Sequence, residues 1–147
     1  MQRIEWDEYF MKIARVVSER STCLRRQIGA VITVGNQIVS TGYNGACSKV
    51  DDCMKLGCLR NEQNIPSGER HEVCRAVHAE QNAIIQAAIK GVSVKGGTIY
   101  CTQSPCILCA KMIVNAQIKR CVVAAEYSES KYVGLFDAAG VDVGYLN

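Results

Sequence analysis

Two short motifs of potential metal ligands constrain the fold of this chain more than any other feature. The sequence HAE at 78–80 lies near the start of the segment AVHAEQNAIIQAA, and PCILC at 105–109 lies near the start of a second segment, SPCILCAKMIVNA. Both segments have the apolar spacing of a helix. A neutral imidazole and two thiolates form a zinc site whose fourth position is open to water. His78, Cys106 and Cys109 supply that set, so we expect the starts of the two helices to form one site.

The spacing within each motif suits catalysis at such an ion. The two sulfurs of the C-x-x-C pair lie one helical turn apart on one face, where the helix dipole favours thiolate over thiol. Glu80 can take a proton from a metal-activated water and pass it to a leaving amine. A structural zinc knuckle, a cysteine pair that only packs, or a first-turn carboxylate that complements the dipole would each explain one motif alone. The combination favours a catalytic site.

Composition limits the class of protein. The 147 residues are 48% apolar and 21% charged, and we expect residues 1–147 to form one domain. Lys and Arg exceed Asp and Glu by 17 − 14 = 3, without a basic run, which argues against a surface that coats nucleic acid. The N-terminal sequence has no apolar signal region, and no window approaches the roughly 20 apolar residues of a membrane span. We therefore expect a cytoplasmic protein that binds neither nucleic acid nor a membrane.

Nine cysteines are a high and odd number. A secreted disulfide scaffold would explain some of them. The lack of a signal region and the presence of C-x-x-C favour cytosolic thiols and metal ligands instead. Cys101 and Cys121 lie in predicted strands and are expected in the core.

The first part of the chain predicts a helix and a hairpin. Residues 4–20 have the amphipathic spacing of a covering helix. Two β-rich runs, 28–34 and 37–42, are joined by Gly35-Asn36, a pair typical of a tight hairpin turn. In the following GYNG sequence at 42–45, the glycines allow the backbone to bend or to approach a ligand closely.

The later part of the chain alternates helices and strands. Helices are predicted over 79–89, 106–115 and 131–139, and strands over 98–101, 120–125 and 141–143. Gly91 and Gly140 are placed to end two of the helices, and Pro105 stands just before or at the first position of another. This order predicts a sheet sandwiched between helices, with at least its last connections parallel.

The chain resembles the deoxycytidylate (dCMP) deaminase family, within the zinc-dependent cytidine-deaminase-like superfamily. The matching stretches are Arg25 with QIGAVI at 27–32, TGYNG at 41–45, CRAVHAEQNAI at 74–84 and SPCILCAK at 104–111. HAE with PCxxC is the mark of the superfamily, and TGYNG with a thiol-rich insertion is typical of its nucleotide-deaminating branch. The resemblance implies an α/β fold of three layers, α/β/α, around a central mixed five-stranded sheet.

The resemblance also implies an activity. That activity is hydrolytic deamination of dCMP to dUMP and ammonia by a zinc-activated water, which supplies dUMP for thymidylate synthesis. Zinc would be held by His78, Cys106 and Cys109, with Glu80 as the proton shuttle. Relatives of this kind form homo-oligomers, and many respond to dCTP and dTTP as effectors.

Several residues are candidates for binding the nucleotide. By family analogy, Asn44 hydrogen-bonds the sugar or phosphate, and the backbone near Ala79 and Ser104 holds the base. Tyr127 matches a family aromatic that lies against the nucleotide, although an ordinary surface tyrosine is an equally good interpretation.

Arg25 and Arg26 are candidate phosphate partners because guanidinium binds phosphate through two hydrogen bonds, although a solvated pair of charges is equally consistent. The chain also departs from the common family pattern nearby. Cys47 stands where Pro often follows G-Y-N-G-x, and Asp52 precedes Cys53 where His is frequent. These departures bear on the loop geometry and on the contacts to the phosphate.

The insertion at residues 46–75 shows no long apolar period, and a loop of this length needs a function or a metal to order it. Some dCMP deaminases carry a second, structural zinc, for which this chain offers the ligands Cys23, Cys53, His71 and Cys74. Such an ion would order the insertion, since metal binding supplies folding free energy. Cys58 and Cys47 are alternative ligands, and free buried thiols that behave as small hydrophobes are the other interpretation.

Other members of the superfamily are alternatives. A free-nucleoside cytidine deaminase, a diaminopyrimidine deaminase of riboflavin synthesis and a tRNA adenosine deaminase share the metal motifs, but the last would need a more basic surface. A competence-associated zinc-binding module that has lost turnover is an alternative from another class. Glu80 argues against that module, because a purely structural site has no use for an unligated carboxylate.

Overall fold

The computed structural model describes residues 1–146. It contains six helices in that range: α1 Trp6–Ser18, α2 Cys53–Leu56, α3 Leu59–Glu62, α4 Ala79–Lys90, α5 Ile107–Asn115 and α6 Tyr132–Ala139. The strands there are β1 Gly29–Val34, β2 Gln37–Tyr43, β3 Gly45–Ala46, β4 Ala76–Val77, β5 Thr98–Cys101, β6 Arg120–Val123 and β7 Asp142–Tyr145. No helix among the described residues is long and apolar enough to cross a membrane.

Five of the strands form one mixed sheet in the order β2-β1-β5-β6-β7. Strand β1 runs antiparallel to both β2 and β5, whereas β5, β6 and β7 are parallel. The mixed five-stranded sheet and its parallel last connections are therefore confirmed. The edge strand expected at 141–143 begins one residue later and extends to Tyr145.

Helices cover both faces of the sheet, as the alternation along β1 shows. Ala30 and Ile32 point into a core with residues of α4, α5 and α6, whereas Val31 points into a second core with α1. Cys101 and Cys121 are fully buried in the first core, as expected. The three-layer arrangement is confirmed, with α1 alone on one face and three helices on the other.

A charged contact fastens α1 to the sheet. The two terminal guanidinium nitrogens of Arg120 donate to the Asp7 carboxylate, at 2.8 and 2.7 Å. The Tyr100 hydroxyl donates to the same carboxylate at 2.9 Å. The hydrogen bond from Arg120 holds the pKa of Asp7 below its usual value, although burial opposes this effect. The covering helix is thus held by polar contacts as well as by its apolar face.

The hairpin turn follows its sequence. Gly35 and Asn36 both adopt positive φ angles, 58° and 59°, as a two-residue turn that matches the twist of the strands requires. Further along β2, a Cβ atom on Gly42 would lie 2.3 Å from the carbonyl oxygen of Ala79 and 2.4 Å from the amide nitrogen of Ala83. Gly42 therefore lets helix α4 approach the strand, and the contact it permits is with this helix rather than with a ligand.

The insertion has more regular structure than its sequence predicts. It contains the one-turn helices α2 and α3 and a 3₁₀ turn at His71–Val73, and the short antiparallel pair of β3 with β4 joins its two ends. One-turn helices are too short to show an apolar period, which explains why the sequence pattern missed them. The insertion lies beside the starts of α4 and α5, because its residues line the same pocket as His78 and Cys106.

Candidate active site

The starts of α4 and α5 meet. His78 is the residue that caps α4, and Cys106 caps α5, with Cys109 in the first turn of that helix. The ligand atoms of these three residues all lie within 4.8 Å of one another, and they are the only such group among residues 1–146. The convergence expected from the two motifs is thus present in the structure.

The donor set and its spacing fit zinc. Nδ1 of His78 lies 3.2 Å from Sγ of Cys109 and 3.5 Å from Sγ of Cys106. A tetrahedral zinc ion with ordinary bond lengths would hold a nitrogen and a sulfur about 3.6 Å apart. The three residues can therefore hold the ion with small adjustments, and they leave its fourth position to a small ligand.

The electrostatics of the three residues also suit a cation. A hydrogen bond from Cys109 lowers the pKa of Cys106 to about 3, even though burial opposes this shift. The same hydrogen bond raises the pKa of Cys109, and burial adds to that rise. Burial lowers the pKa of His78, but the hydrogen bond and charge of Cys106 outweigh it and the net shift is upward. Negative charge is thus concentrated on sulfur at the centre of the site.

Backbone and side-chain contacts fix both helix starts. The amide of His78 donates to Oε1 of Gln81 at 2.9 Å, which completes half of a capping box. The amide of Ile107, at the first position of α5, donates to Oε2 of Glu129 at 2.9 Å. Glu129 thereby stabilises the positive end of the helix that carries both thiols. Sequence reasoning missed it because it lies in a loop distant in sequence.

Glu80 is buried in the first turn of α4, with 4% of its surface exposed. Burial raises the pKa of its carboxyl group, although the nearby His78 ring opposes this effect. It lines the same pocket as His78 and Cys106. A carboxyl group whose pKa is raised by burial holds a proton more readily than a free one, which is a property that a proton shuttle needs.

The comparisons with known proteins agree with this geometry. Residues 4–125 match the family model of the cytidine and deoxycytidylate deaminase zinc-binding region. The chain belongs to this family. The resemblance seen in the motifs is therefore confirmed, and the match covers the two metal motifs and the insertion.

Three relatives illustrate the range of the family. A deoxycytidylate deaminase of Schizosaccharomyces pombe is 34% identical over 142 residues, which are 96% of this chain and 44% of that protein. ComE operon protein 2 of Bacillus subtilis is 38% identical over 144 residues, 97% of this chain and 72% of that protein. The crystal structure of a dCMP deaminase from cyanophage S-TIM5, in complex with dCMP and dUMP, has a TM-score of 0.80 and 29% identity.

The lengths covered differ among these proteins. This member of the deaminase family spans less than half of the S. pombe protein. By contrast, the alignment with the phage structure covers 99% of this chain and 100% of that chain. The whole of the phage fold is therefore present here.

The predicted nucleotide-binding residues line the pocket beside the metal triad, with the exception of Ala79. Ala79 is fully buried, and Ser104 is 4% exposed and accepts a hydrogen bond from the amide of Tyr127 at 2.6 Å. The side chain of Asn44 is engaged with the backbone: its Oδ1 accepts from the amide of Ile28, and its Nδ2 donates to the carbonyl of Arg26, both at 2.9 Å. Asn44 lines the pocket but already has two protein partners.

Arg25 and Arg26 also line the pocket. Arg25 donates to Oδ1 of Asn61 and to the carbonyl of Ile65, at 2.6 and 2.7 Å. Arg26 donates to Oγ of Ser67 at 2.9 Å, and its guanidinium lies 4.9 Å from the centre of the Tyr127 ring. Both arginines thus tie the insertion to the start of β1.

Tyr127 is a pocket residue. Its hydroxyl accepts a hydrogen bond from the amide of Gly68 at 2.9 Å, which fixes the insertion over the site. Arg60 and Gln103 line the same pocket and were missed by the sequence reasoning. No spacing rule marks either residue, because each reaches the pocket only through the folding of its loop.

The predicted ligands of a second metal lie in two places. Burial raises the pKa of the Cys53 thiol, and the neighbouring thiols of Cys58, Cys74 and Cys23 add to this rise. The ring of His71 instead lies 4.9 Å from that of His78, at 74° to it, and both of its buried nitrogens lack hydrogen-bond partners. Cys47 is exposed. The structure thus places Cys58 among the thiols and His71 beside the first metal site.

Proposed function

We propose that this protein hydrolyses dCMP to dUMP and ammonia. One observation carries the proposal: two members of the metal-binding triad, His78 and Cys106, and the buried Glu80 line one pocket. Three arginines line the same pocket: Arg25, Arg26 and Arg60. An amine-hydrolysing centre beside several guanidinium groups suits a substrate that carries both a cytosine and a phosphate. The relatives named as deoxycytidylate deaminases support this choice of substrate.

The chemistry adds water oxygen to C4 of the cytosine and breaks the bond between C4 and the exocyclic nitrogen. His78, Cys106 and Cys109 would hold zinc, which would act as a Lewis acid and make water more acidic. Glu80 accepts a proton from the attacking water and delivers it to the departing nitrogen, which leaves as ammonia. The backbone near Ala79 and Ser104 holds the base.

The remaining nucleotide contacts belong to the walls of the pocket. Asn44 holds the sugar or phosphate side, Tyr127 lies against the nucleotide, and Arg25 and Arg26 contribute positive charge to the phosphate side. Both arginines make hydrogen bonds to the insertion, and Asn44 makes them to the backbone of Arg26 and Ile28. These bonds favour a pocket that is formed before the substrate arrives.

A substrate panel tests this proposal. Purified zinc-loaded protein should release ammonia from dCMP, and Glu80→Gln should abolish the release while metal content stays unchanged. Gln fills nearly the same space but cannot take the proton. The control Gln81→Glu changes the next residue of the same helix turn and should retain activity. It tests whether the loss of activity is specific to the Glu80 carboxylate.

The alternatives give different results in the same panel. Ammonia from cytidine or deoxycytidine but not from dCMP would make the protein a nucleoside deaminase. Release from a diaminopyrimidine or from adenosine in tRNA would assign it to those branches of the superfamily. No release from any of these substrates, with zinc bound, would favour a silent module; the similarity to ComE operon protein 2 makes this arm of the test worth including.

We also propose a second, structural zinc in the insertion. Sγ of Cys23 accepts a hydrogen bond from the amide of Arg25, and Sγ of Cys74 accepts one from the amide of Ala76, both at 3.4 Å. Backbone amides thus orient both sulfurs, as hydrogen bonds around a metal site orient its ligands. We assign Cys23, Cys53 and Cys74 as ligands. For the fourth ligand, Cys58 is favoured by its place among these thiols, and His71 is the other candidate.

Metal analysis distinguishes these ligand sets. About two zinc ions per chain support the second site, and one per chain contradicts it. Cys58→Ser should reduce the count by one, whereas His71→Ala and the exposed Cys47→Ser should leave it unchanged. Loss of one ion in His71→Ala but not in Cys58→Ser would identify the histidine as the fourth ligand.

The setting of the activity is proposed by analogy with the family. We propose that residues 1–147 form one deaminase domain in which the metal-ordered insertion completes the pocket. We further propose that it acts in the cytoplasm as a homo-oligomer, with dCTP and dTTP as its effectors. Sedimentation of the protein and dCMP kinetics with each triphosphate test these statements separately.

A further inference from the structure

Arg60 is the only buried lysine or arginine among residues 1–146, with 7% of its surface exposed. It lies in the one-turn helix α3, between the buried Cys58 and the buried Ile65. Arginine is rarely fully buried unless its charge is paired. Its burial therefore calls for a counter-charge.

The described part of the chain does not supply one. No carboxylate of residues 1–146 forms an ion pair with Arg60, although three such pairs occur elsewhere in that range. One terminal nitrogen donates to the carbonyl of Pro66 at 3.1 Å, and the buried Nε has no hydrogen-bond partner. An unpaired buried guanidinium is costly, since burial removes its hydration without replacing it.

The guanidinium lies at the pocket of the candidate active site. Arg60 lines that pocket together with His78, Glu80 and Cys106. Its positive charge acts on the rings of both His71 and His78. An anion that enters the pocket next to the metal triad would therefore meet this charge inside a partly desolvated space, where charge pairs are strongest.

The other two arginines of the pocket are less buried than Arg60, and each uses some of its donors to bind the insertion. Arg25 is bonded to Asn61 and Ile65, and Arg26 to Ser67, with its guanidinium against the Tyr127 ring. Arg60 has a buried donor left over. Guanidinium and phosphate match in charge and in the spacing of their donors and acceptors.

We propose that Arg60 binds the 5′-phosphate of the nucleotide and makes the site prefer a nucleoside monophosphate over the free nucleoside. This inference rests on the proposed deamination of dCMP, which it deepens by assigning the residue that recognises the phosphate. Arg25 and Arg26 then act mainly by holding the insertion in place around the phosphate.

The test compares kcat/KM for dCMP and for deoxycytidine in the zinc-loaded wild type, Arg60→Gln, Arg60→Lys and Arg70→Gln. Glutamine retains a donor for the Pro66 carbonyl but loses the charge. Loss of charge-assisted hydrogen bonds should lower kcat/KM for dCMP about 100-fold in Arg60→Gln and leave deoxycytidine nearly unchanged. For Arg60→Lys, kcat/KM for dCMP should lie between the values of the wild type and Arg60→Gln. The control Arg70→Gln removes an exposed arginine of the same insertion, paired only with Glu72, and should change neither value.

Where the nucleoside is turned over too slowly for kinetics, binding affinities are measured instead. Calorimetry with dUMP and with deoxyuridine should show that Arg60→Gln weakens binding of dUMP by a similar factor and leaves deoxyuridine binding unchanged. Equal losses for nucleotide and nucleoside would mean that Arg60 only supports the fold of the insertion, and unchanged dUMP binding would exclude it from the phosphate site. Either result overturns the proposal.

The two proposals fail in different ways. If the wild type does not deaminate dCMP, the proposed function is wrong. If the wild type deaminates dCMP and Arg60→Gln keeps the wild-type ratio between nucleotide and nucleoside, the function stands and the assignment of Arg60 is wrong.

Discussion

Gly42 links the stability of this protein to the geometry of its active site, which makes Gly42→Ala an informative substitution. The added Cβ would lie 2.3 Å from the carbonyl oxygen of Ala79 and 2.4 Å from the amide nitrogen of Ala83. Real Cβ atoms do not come within 3.0 Å of such atoms. Both atoms belong to the backbone of α4, so no side-chain rotation relieves the overlap. The helix must shift away from β2.

The size of the effect follows from this overlap. Overpacking of a close contact costs about 1–3 kcal/mol. With about 2.1 cal/mol/K of unfolding entropy per residue over 147 residues, the melting entropy is about 0.3 kcal/mol/K, so Tm should fall by about 3–10 °C. Because the helix that moves carries Glu80 next to Ala79, the activity should fall further than the stability does; a displacement of about 1 Å can cost about 100-fold in rate.

Gly134→Ala is the matched control. Gly134 lies within α6, and an added Cβ there meets no atom within 4 Å. Alanine should therefore stabilise the helix by about 0.5–1 kcal/mol. Thermal melting and dCMP turnover of both variants decide the matter. A Gly42→Ala protein that melts within a degree of the wild type and keeps full activity would show that α4 does not depend on this contact.

Three further outcomes can be measured on the same protein. The pKa of Asp7 is lowered mainly by its hydrogen bond with Arg120. The charged carboxylate therefore contributes fully to stability at pH values above 3.8, the ordinary pKa of the group. This contribution is lost as the pH falls through the lowered pKa of the folded state. Both partners are about one third exposed, so Asp7→Asn should lower the free energy of unfolding by about 1 kcal/mol at pH 7. At a pH below the folded pKa of Asp7 it should have no effect. Denaturant melts measure both values, and an equal loss of stability at the two pH values contradicts the assignment. Glu129→Ala should remove the cap at the Ile107 amide and lower zinc affinity about 10-fold in a chelator competition. Glu129→Gln should retain most of the affinity. Equal zinc affinities of the wild type and both variants contradict the role of the cap. Removal of zinc by a chelator should lower Tm, and re-addition of zinc should restore it; an unchanged melting curve contradicts metal-linked folding.

Local signals predicted most of the sheet and its helices. The turn at Gly35 and Asn36 follows from the positive φ angles that this pair tolerates, and Gly91 and Gly140 end their helices in the left-handed conformation, with φ of 68° and 73°. The strands next to these helices have the expected bounds within one or two residues. In each case the residues that determine the structure are neighbours in the sequence.

The rest of the site depends on contacts between residues that are distant in sequence. Glu129 reaches the amide of Ile107 across 22 positions, and the hydroxyl of Tyr127 reaches the amide of Gly68 across 59. No pattern in a single sequence encodes such pairs. For Gly42, the sequence indicated a special backbone requirement but could not show that its partner is α4.

The same distinction separates the reaction from the substrate. The triad and Glu80 lie at the first turns of two helices, so short spacings that can be seen in the sequence place them together beside the pocket. The groups available to a phosphate come from the insertion and from the segment before β1, and they meet only when the insertion folds over the pocket. A change in the insertion can therefore alter which pyrimidine compound is bound without altering the chemistry. In this fold, the residues proposed to select the substrate can vary independently of those proposed to hold the metal and move the proton.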